Sequence, residues 1–99
     1  MNKEETQMMA FQLIGFAGDA FSHFFQAIDA AKKADYEEAE RLIQEGKKSM
    51  KEAHDAQTDL LSAEADGKDL AYSILMVHAQ DHLTMALMYE RLASEFISV

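Results

Sequence analysis

Apolar residues recur along the chain at steps of three and four, the spacing that stacks side chains on one face of an α-helix. Ala10, Ile14, Ala17, Phe21, Phe24 and Ile28 form one such stripe, which predicts a first helix over about residues 3–33. Phe11, Phe16 and Phe25 fall off the stripe, so more than one face of this helix asks for burial. Gly15 and Gly18 each cost roughly 1 kcal/mol relative to Ala inside a helix. Close packing against a neighbouring helix is the expected reason for both. A second stripe, Ala39, Leu42, Ile43, Met50, Ala53, Gln57, Leu60 and Leu61, predicts a helix over about residues 36–65 with a solvated outer face rich in Glu and Lys. Asp35 stands at the N-cap, and Glu38 completes a capping-box-like pattern. "EADGKD" ends the helix, with Gly67 just past the cap. The third helix is predicted over about residues 69–97. From Leu70 to Val77 only Ser73 lacks an apolar side chain. A surface helix of a small bundle needs one apolar side, and this one is apolar nearly all round. A partner chain is therefore expected to cover it. The architecture that follows is all-α: an antiparallel up-down-up three-helix bundle that self-associates.

Composition narrows this further. The chain has 99 residues, enough for a single domain over 1–99. With no proline and four glycines it suits long helices. With no cysteine it holds neither a disulfide nor a thiolate metal site. A formal charge of −9 disfavours nucleic acid, whose phosphates need clustered Lys and Arg, and disfavours anionic lipid as well. The opening "MNKEETQMMAF" has no signal-peptide core. No run of about 18 uncharged apolar residues offers a membrane span. A cytoplasmic protein without membrane insertion is expected.

The stretch "LMVHAQDHLTMALMY", residues 75–89, breaks the pattern. His78, Asp81 and His82 share one helix face at i, i+3 and i+4, on the stripe Ile74, His78, Asp81, Met85, Met88, Leu92. Gln80 lies roughly 200° around the axis from His78 and faces elsewhere. Buried polar groups are costly unless paired, so three readings compete. A purely structural role suits one histidine better than three clustered ionisable groups. A metal site is the second: His-x-x-x-His chelates zinc from one helix face, with Asp81 as a third ligand. The Glu-x-x-His repeats of di-iron bundles are missing, because Glu52 precedes His54 by only two positions. The third is phosphoryl transfer. A neutral imidazole is a competent nucleophile near neutral pH. A second imidazole one turn away hydrogen-bonds the phosphoryl oxygens or holds the first ring's tautomer. Asp81 would repel phosphate, but packing around a symmetry axis would set it against its own copies. Gathered carboxylates need protons or a cation, and Mg²⁺ or Ca²⁺ suits an all-oxygen site.

"VHAQDHL" closely resembles the signature of the lactose/cellobiose-type IIA component of the bacterial phosphoenolpyruvate-dependent sugar phosphotransferase system. "FAGDAFS", "ADYEEAERLIQEG", "EAHDAQTDLLSAEADG" and "LASEF" resemble the same family in the same order, over nearly the whole chain. The resemblance implies a homotrimer of three-helix bundles. It implies that His78 accepts a phosphoryl group from phospho-HPr and passes it to a cysteine of the IIB component, which serves the IIC membrane permease. It implies that Asp81 gathers at the threefold axis around a divalent cation, Mg²⁺. It sets His82 beside the phosphoryl site as a support, with Gln80 near it across the subunit boundary. The chain departs from the family's usual pattern at Thr84–Met85, whose order is exchanged, and at Phe21, where Arg is common. His54 and Gln57 match an "AHxxQT" motif and are expected as packing and hydrogen-bonding residues near the bundle core. His23 is expected at the surface or an interface. The function so implied is a phosphocarrier in the uptake of a β-linked disaccharide of lactose, cellobiose or chitobiose type. The alternative is a structural or adaptor bundle stabilised by metal at the His-Asp-His cluster.

Overall fold

The computed structural model describes residues 2–67 and 74–97. Three helices, α1 (Lys3–Lys32), α2 (Tyr36–Ala65) and α3 (Ile74–Ile97), form a bundle of 49 × 20 × 15 Å. The expected first turn of the third helix, residues 69–73, lies outside the described residues.

Local chemistry sets the helix ends. Asn2 caps α1: its side chain accepts from the Glu5 backbone N–H at 2.8 Å, and the Glu5 carboxylate accepts from the Asn2 N–H in return. Thr6, almost fully buried, donates its hydroxyl to the Asn2 carbonyl at 2.9 Å. The turn into α2 is a Schellman motif. The Asp35 N–H donates to the Ala30 carbonyl and the Ala34 N–H to the Ala31 carbonyl, both at 2.9 Å. Ala34 takes the left-handed position that glycine usually fills, at φ 63°. Asp35 does cap α2, accepting from the Glu38 N–H at 3.3 Å. The reciprocal half of the expected capping box is absent, because the Glu38 carboxylate is held by the Arg41 guanidinium instead. Gly67 follows α2 at φ 82°, as the sequence predicts.

The core is built mostly from small residues. Eleven of the 18 buried apolar residues described are alanines, among them Ala10, Ala17, Ala20 and Ala27 on α1 and Ala79, Ala86 and Ala93 on α3. Alanine faces bring helix backbones close together but bury little area per residue. At the tightest point the Phe24 ring lies on Gly46, where an added methyl would stand 2.8 and 2.9 Å from Phe24 Cδ1 and Cζ. No side chain fits there, so this glycine is dictated by contact.

Of the expected α1 stripe, Ala10, Ala17 and Phe24 are buried; Leu13, Ala20 and Ala27 share that face with them, while Ile14 and Ile28 are partly buried and Phe21 lies at the edge. On α2 the expected stripe holds except at Leu61, which is exposed. Gly15 and Gly18 do not pack against a helix of the same chain: nothing lies within 4 Å of a Cβ built at either.

The large apolar side chains lie outside. Among the described residues twelve are exposed, including Phe11 and Phe25 on α1 and Met85, Met88, Leu92 and Phe96 on α3. Covering what is still exposed of each would contribute about 1 kcal/mol. The expectation that three helices leave α3 uncovered is met.

Ala34 should be the cheapest place to stabilise this fold. Ala34→Gly removes the side-chain penalty of the left-handed conformation and should add about 1 kcal/mol. Urea unfolding should show a higher midpoint with unchanged slope. A lower midpoint would mean that the turn is not held in this conformation.

Candidate functional site: paired imidazoles on α3

His78 and His82 lie one turn apart on α3, as their spacing requires. Their rings meet edge to face, with centroids 4.5 Å apart, and Nε2 of one lies 3.0 Å from Nε2 of the other. A hydrogen bond between two Nε2 atoms needs a proton on one and a lone pair on the other. In the neutral pair, the accepting ring therefore carries its own proton on Nδ1. The two rings hold one shared proton between their facing nitrogens, and a doubly cationic pair cannot keep this geometry.

The surroundings divide the roles. His78 is exposed and His82 is half-buried. Gly18, Phe21 and Met85 complete with His82 a pocket of about 160 Å³ in the groove between α1 and α3. The missing side chain at Gly18 opens this space. Phe21 is itself braced by Tyr89, with ring centroids 4.5 Å apart at 47°. The packed groove confines the His82 ring, while the His78 ring faces outward where another molecule can reach it. Phe21, Tyr89 and Gly18 were not assigned to the site from sequence. Gly18 was expected only to pack against a neighbouring helix, and Phe21 was singled out only as a departure from the family's usual Arg.

The other expected residues are placed as follows. Asp81 is exposed among Met85 and Met88 and has no hydrogen-bond or ion-pair partner among the described residues. It does not join the imidazoles as a third ligand. Among the described residues, no three His, Cys, Asp or Glu side chains of the chain converge to hold a metal. Gln80 projects to the opposite flank of α3. There its Oε1 accepts from Gln57 Nε2 of α2 at 2.7 Å, and its own Nε2 lies 3.9 Å from Met76 Sδ. It does not touch the imidazole pair of its own chain. Gln57 is thus a hydrogen-bonding residue of the bundle, as expected, but His54 is not near the core: it is exposed, because its position falls on the solvent face of α2. His23 is partly exposed on α1 and donates Nδ1–H to the Asp19 carbonyl at 2.8 Å.

Two imidazoles joined nitrogen to nitrogen thus stand on an open face of a helical bundle. Comparison with known proteins gives the family. The family model for the lactose/cellobiose-specific IIA subunit of the phosphotransferase system matches residues 8–99. The lactose-specific EIIA component of Staphylococcus aureus (strain N315) is 45% identical over 97 residues, spanning 98% of this chain and 94% of that protein. The corresponding component of Lactococcus lactis subsp. lactis is 36% identical over 99 residues, spanning all of this chain and 94% of that one. Two solved structures share the fold. The cellobiose-specific enzyme IIA from Bacillus anthracis superposes with a TM-score of 0.93 at 38% identity, covering 99% of this chain and 88% of that one. PtcA from S. mutans superposes with 0.96 at 41% identity, covering 99% and 96%. The chain belongs to the lactose/cellobiose-specific IIA family of the phosphotransferase system. It is a phosphotransferase-system component with a part in sugar transport, and the metal-stabilised structural bundle is not favoured. No helix among the described residues is long and apolar enough to cross a membrane.

The nitrogen-to-nitrogen bond has a direct spectroscopic signature. With both rings neutral, ¹⁵N spectra of histidine-labelled protein should show one protonated Nε2 and one lone-pair Nε2 in the α3 pair. His82→Ala should return His78 to the averaged signature of a free imidazole. Two averaged rings in the unaltered chain would dissolve the pair.

Proposed function

We propose that the chain is a phosphohistidine carrier that takes a phosphoryl group from phospho-HPr on His78 and yields it to the IIB component. The observation that carries this is the exposed His78 ring, whose Nε2 is bonded to Nε2 of the confined His82. In the reactive form His78 keeps its proton on Nδ1 and its lone pair on Nε2, accepting from His82 Nε2–H. The lone pair attacks phosphorus, the N–P bond to the donor imidazole breaks, and the N–P bond to His78 Nε2 forms. The leaving imidazole keeps the electron pair. The His82 N–H must first swing from His78 Nε2, whose single lone pair it occupies, to a phosphoryl oxygen, where negative charge is spread. In the second half, a cysteine thiolate of IIB attacks the same phosphorus, the N–P bond breaks, and the lone pair and its hydrogen bond return. Little beyond positioning is needed, since phosphoryl transfer depends mainly on alignment and charge stabilisation.

The assembly we propose is a homotrimer in the cytoplasm. Support comes from the exposed apolar strip on α3 and the adjoining Phe11 and Phe25 of α1. Asp81 lies within that strip, so threefold packing would gather three carboxylates. Like charges at one point need protons or a cation. A hard cation such as Mg²⁺ suits oxygen donors of this kind and would neutralise them. One chain offers a single carboxylate, so the group would be held only by the assembled copies. Gln80 would support the phosphoryl site from a neighbouring copy, since it faces away from its own histidines. The transported sugar we propose is a β-linked disaccharide of lactose, cellobiose or chitobiose type, met by the IIC permease and not by this chain.

Intact-mass spectrometry tests the reading. Incubation with phosphoenolpyruvate, enzyme I and HPr should add one acid-labile phosphoryl group, and His78→Ala should add none while remaining folded. His82→Ala should slow uptake by about 10²-fold, the usual effect of removing one charge-stabilising donor. No mass gain with active HPr would refute the carrier. Sedimentation tests the assembly. The unaltered chain should lose trimer when divalent cations are chelated, whereas Asp81→Leu should stay trimeric without them, because an apolar axis needs no cation. Monomeric Asp81→Leu would show that the carboxylate itself drives assembly.

A further inference from the structure

We infer that Gln57 is a positioning residue for phosphoryl transfer: by tying Gln80 to α2 it fixes the rotation of α3 about its own axis, and with it the direction in which the His78–His82 pair faces. The inference rests on the carrier reading above.

The argument begins with what α3 lacks. Its buried face is Ala79, Leu83, Ala86 and Ala93, and its larger side chains at Met85, Leu87, Met88, Leu92 and Phe96 point outward. Leu83 is the one large side chain of that face, and Leu75, Met76, Tyr89 and Ile97 pack against the core from its flanks; with three alanines between them, the face resists rolling less than a leucine face would. Of the three helix pairs, α2 and α3 touch least. Two off-axis contacts compensate. On the α1 flank, Tyr89 meets Phe21. On the α2 flank, Gln57 Nε2 donates to Gln80 Oε1 at 2.7 Å, with both side chains half-buried. The side-chain pairs Glu38–Arg41, Glu40–Gln44, Lys51–Asp55 and His78–His82 each lie within one helix, whereas Gln57–Gln80 joins two.

The position of the tie matters more than its strength. Gln80 is two residues from His78 and about 200° around the helix, so it acts at the same level as the reacting ring from the opposite side. A side-chain group stands about 5–6 Å from the helix axis, so a roll of roughly 10° moves an imidazole by about 1 Å. A misplacement of about 1 Å costs transfer reactions about 10²-fold. Rolling α3 leaves the bond between the two histidines intact, because both move together. The loss would therefore fall on alignment with the incoming phosphorus and not on the nucleophile.

The test measures phosphoryl uptake from phospho-HPr by the full chain, with thermal unfolding alongside. Gln57→Leu keeps the volume and removes the donor. We expect a 10- to 100-fold fall in kcat, a nearly unchanged KM for phospho-HPr and an intact thermal transition. Gln57→Lys offers Gln80 Oε1 an N–H donor again, on a stem one methylene longer, and should recover part of the rate. An unchanged rate in Gln57→Leu overturns the inference. A loss equal in Gln57→Leu and Gln57→Lys, or one that tracks a fall in thermal stability, overturns it too. An unaltered chain that takes no phosphoryl group would refute the carrier reading itself, and this inference with it.

Discussion

The close approach of three alanine-lined helices is the constraint from which the rest of this structure follows. Small side chains at Ala10, Ala17, Ala79 and Ala86 let the backbones come together, and Gly46 lets the Phe24 ring in where a methyl could not fit. Such a core is close-packed but modest in apolar area, so it contributes modestly through the hydrophobic effect. The bulky residues are thereby displaced to the outside of α1 and α3. The same displacement creates the groove in which His82 sits, because Gly18 withdraws where Phe21 and Met85 project.

Within that groove the two imidazoles have unequal tasks. One is confined and one is free, although they are the same residue type one helical turn apart. The difference comes from neighbours: Phe21, braced by Tyr89, lies on the side of His82, and nothing comparable covers His78. A single proton between the facing nitrogens makes each ring's state depend on the other's. In the carrier reading proposed above, that one hydrogen bond would set apart a nucleophile offering a lone pair and a support offering N–H.

Much of this was legible in the chain. Periodicity placed all three helices, and Asp35 and Gly67 marked the ends of α2 because caps are local chemistry. The pairing of His78 with His82 was legible because both belong to one helix, whose geometry is known in advance. What depends on two helices was harder to read. Gln57 and Gln80 are 23 residues apart, and nothing in their spacing shows that their amides meet. On α1, Ala10, Ala17 and Phe24 are buried as expected, but Leu13, Ala20 and Ala27 join them in place of Ile14, Phe21 and Ile28, which look equally apolar until α3 is in place. His54 was set too near the core because its motif was read without its helical phase. The stripe carrying His78, Asp81 and Met85 was rightly seen as apolar, yet only the bundle shows that it points away from the other helices.

The Phe24–Gly46 contact also has a temporal side. It lies across the α1–α2 hairpin, which is joined by a turn of three residues and is rich in local contacts, the kind that form early during folding. The third helix, with its smooth face and few bonds to α2, has the least to hold it until the hairpin exists. The histidines ride on that last element. The pairing of the two imidazoles belongs to α3 alone, but the direction in which the pair faces is set only once that helix has docked on the hairpin.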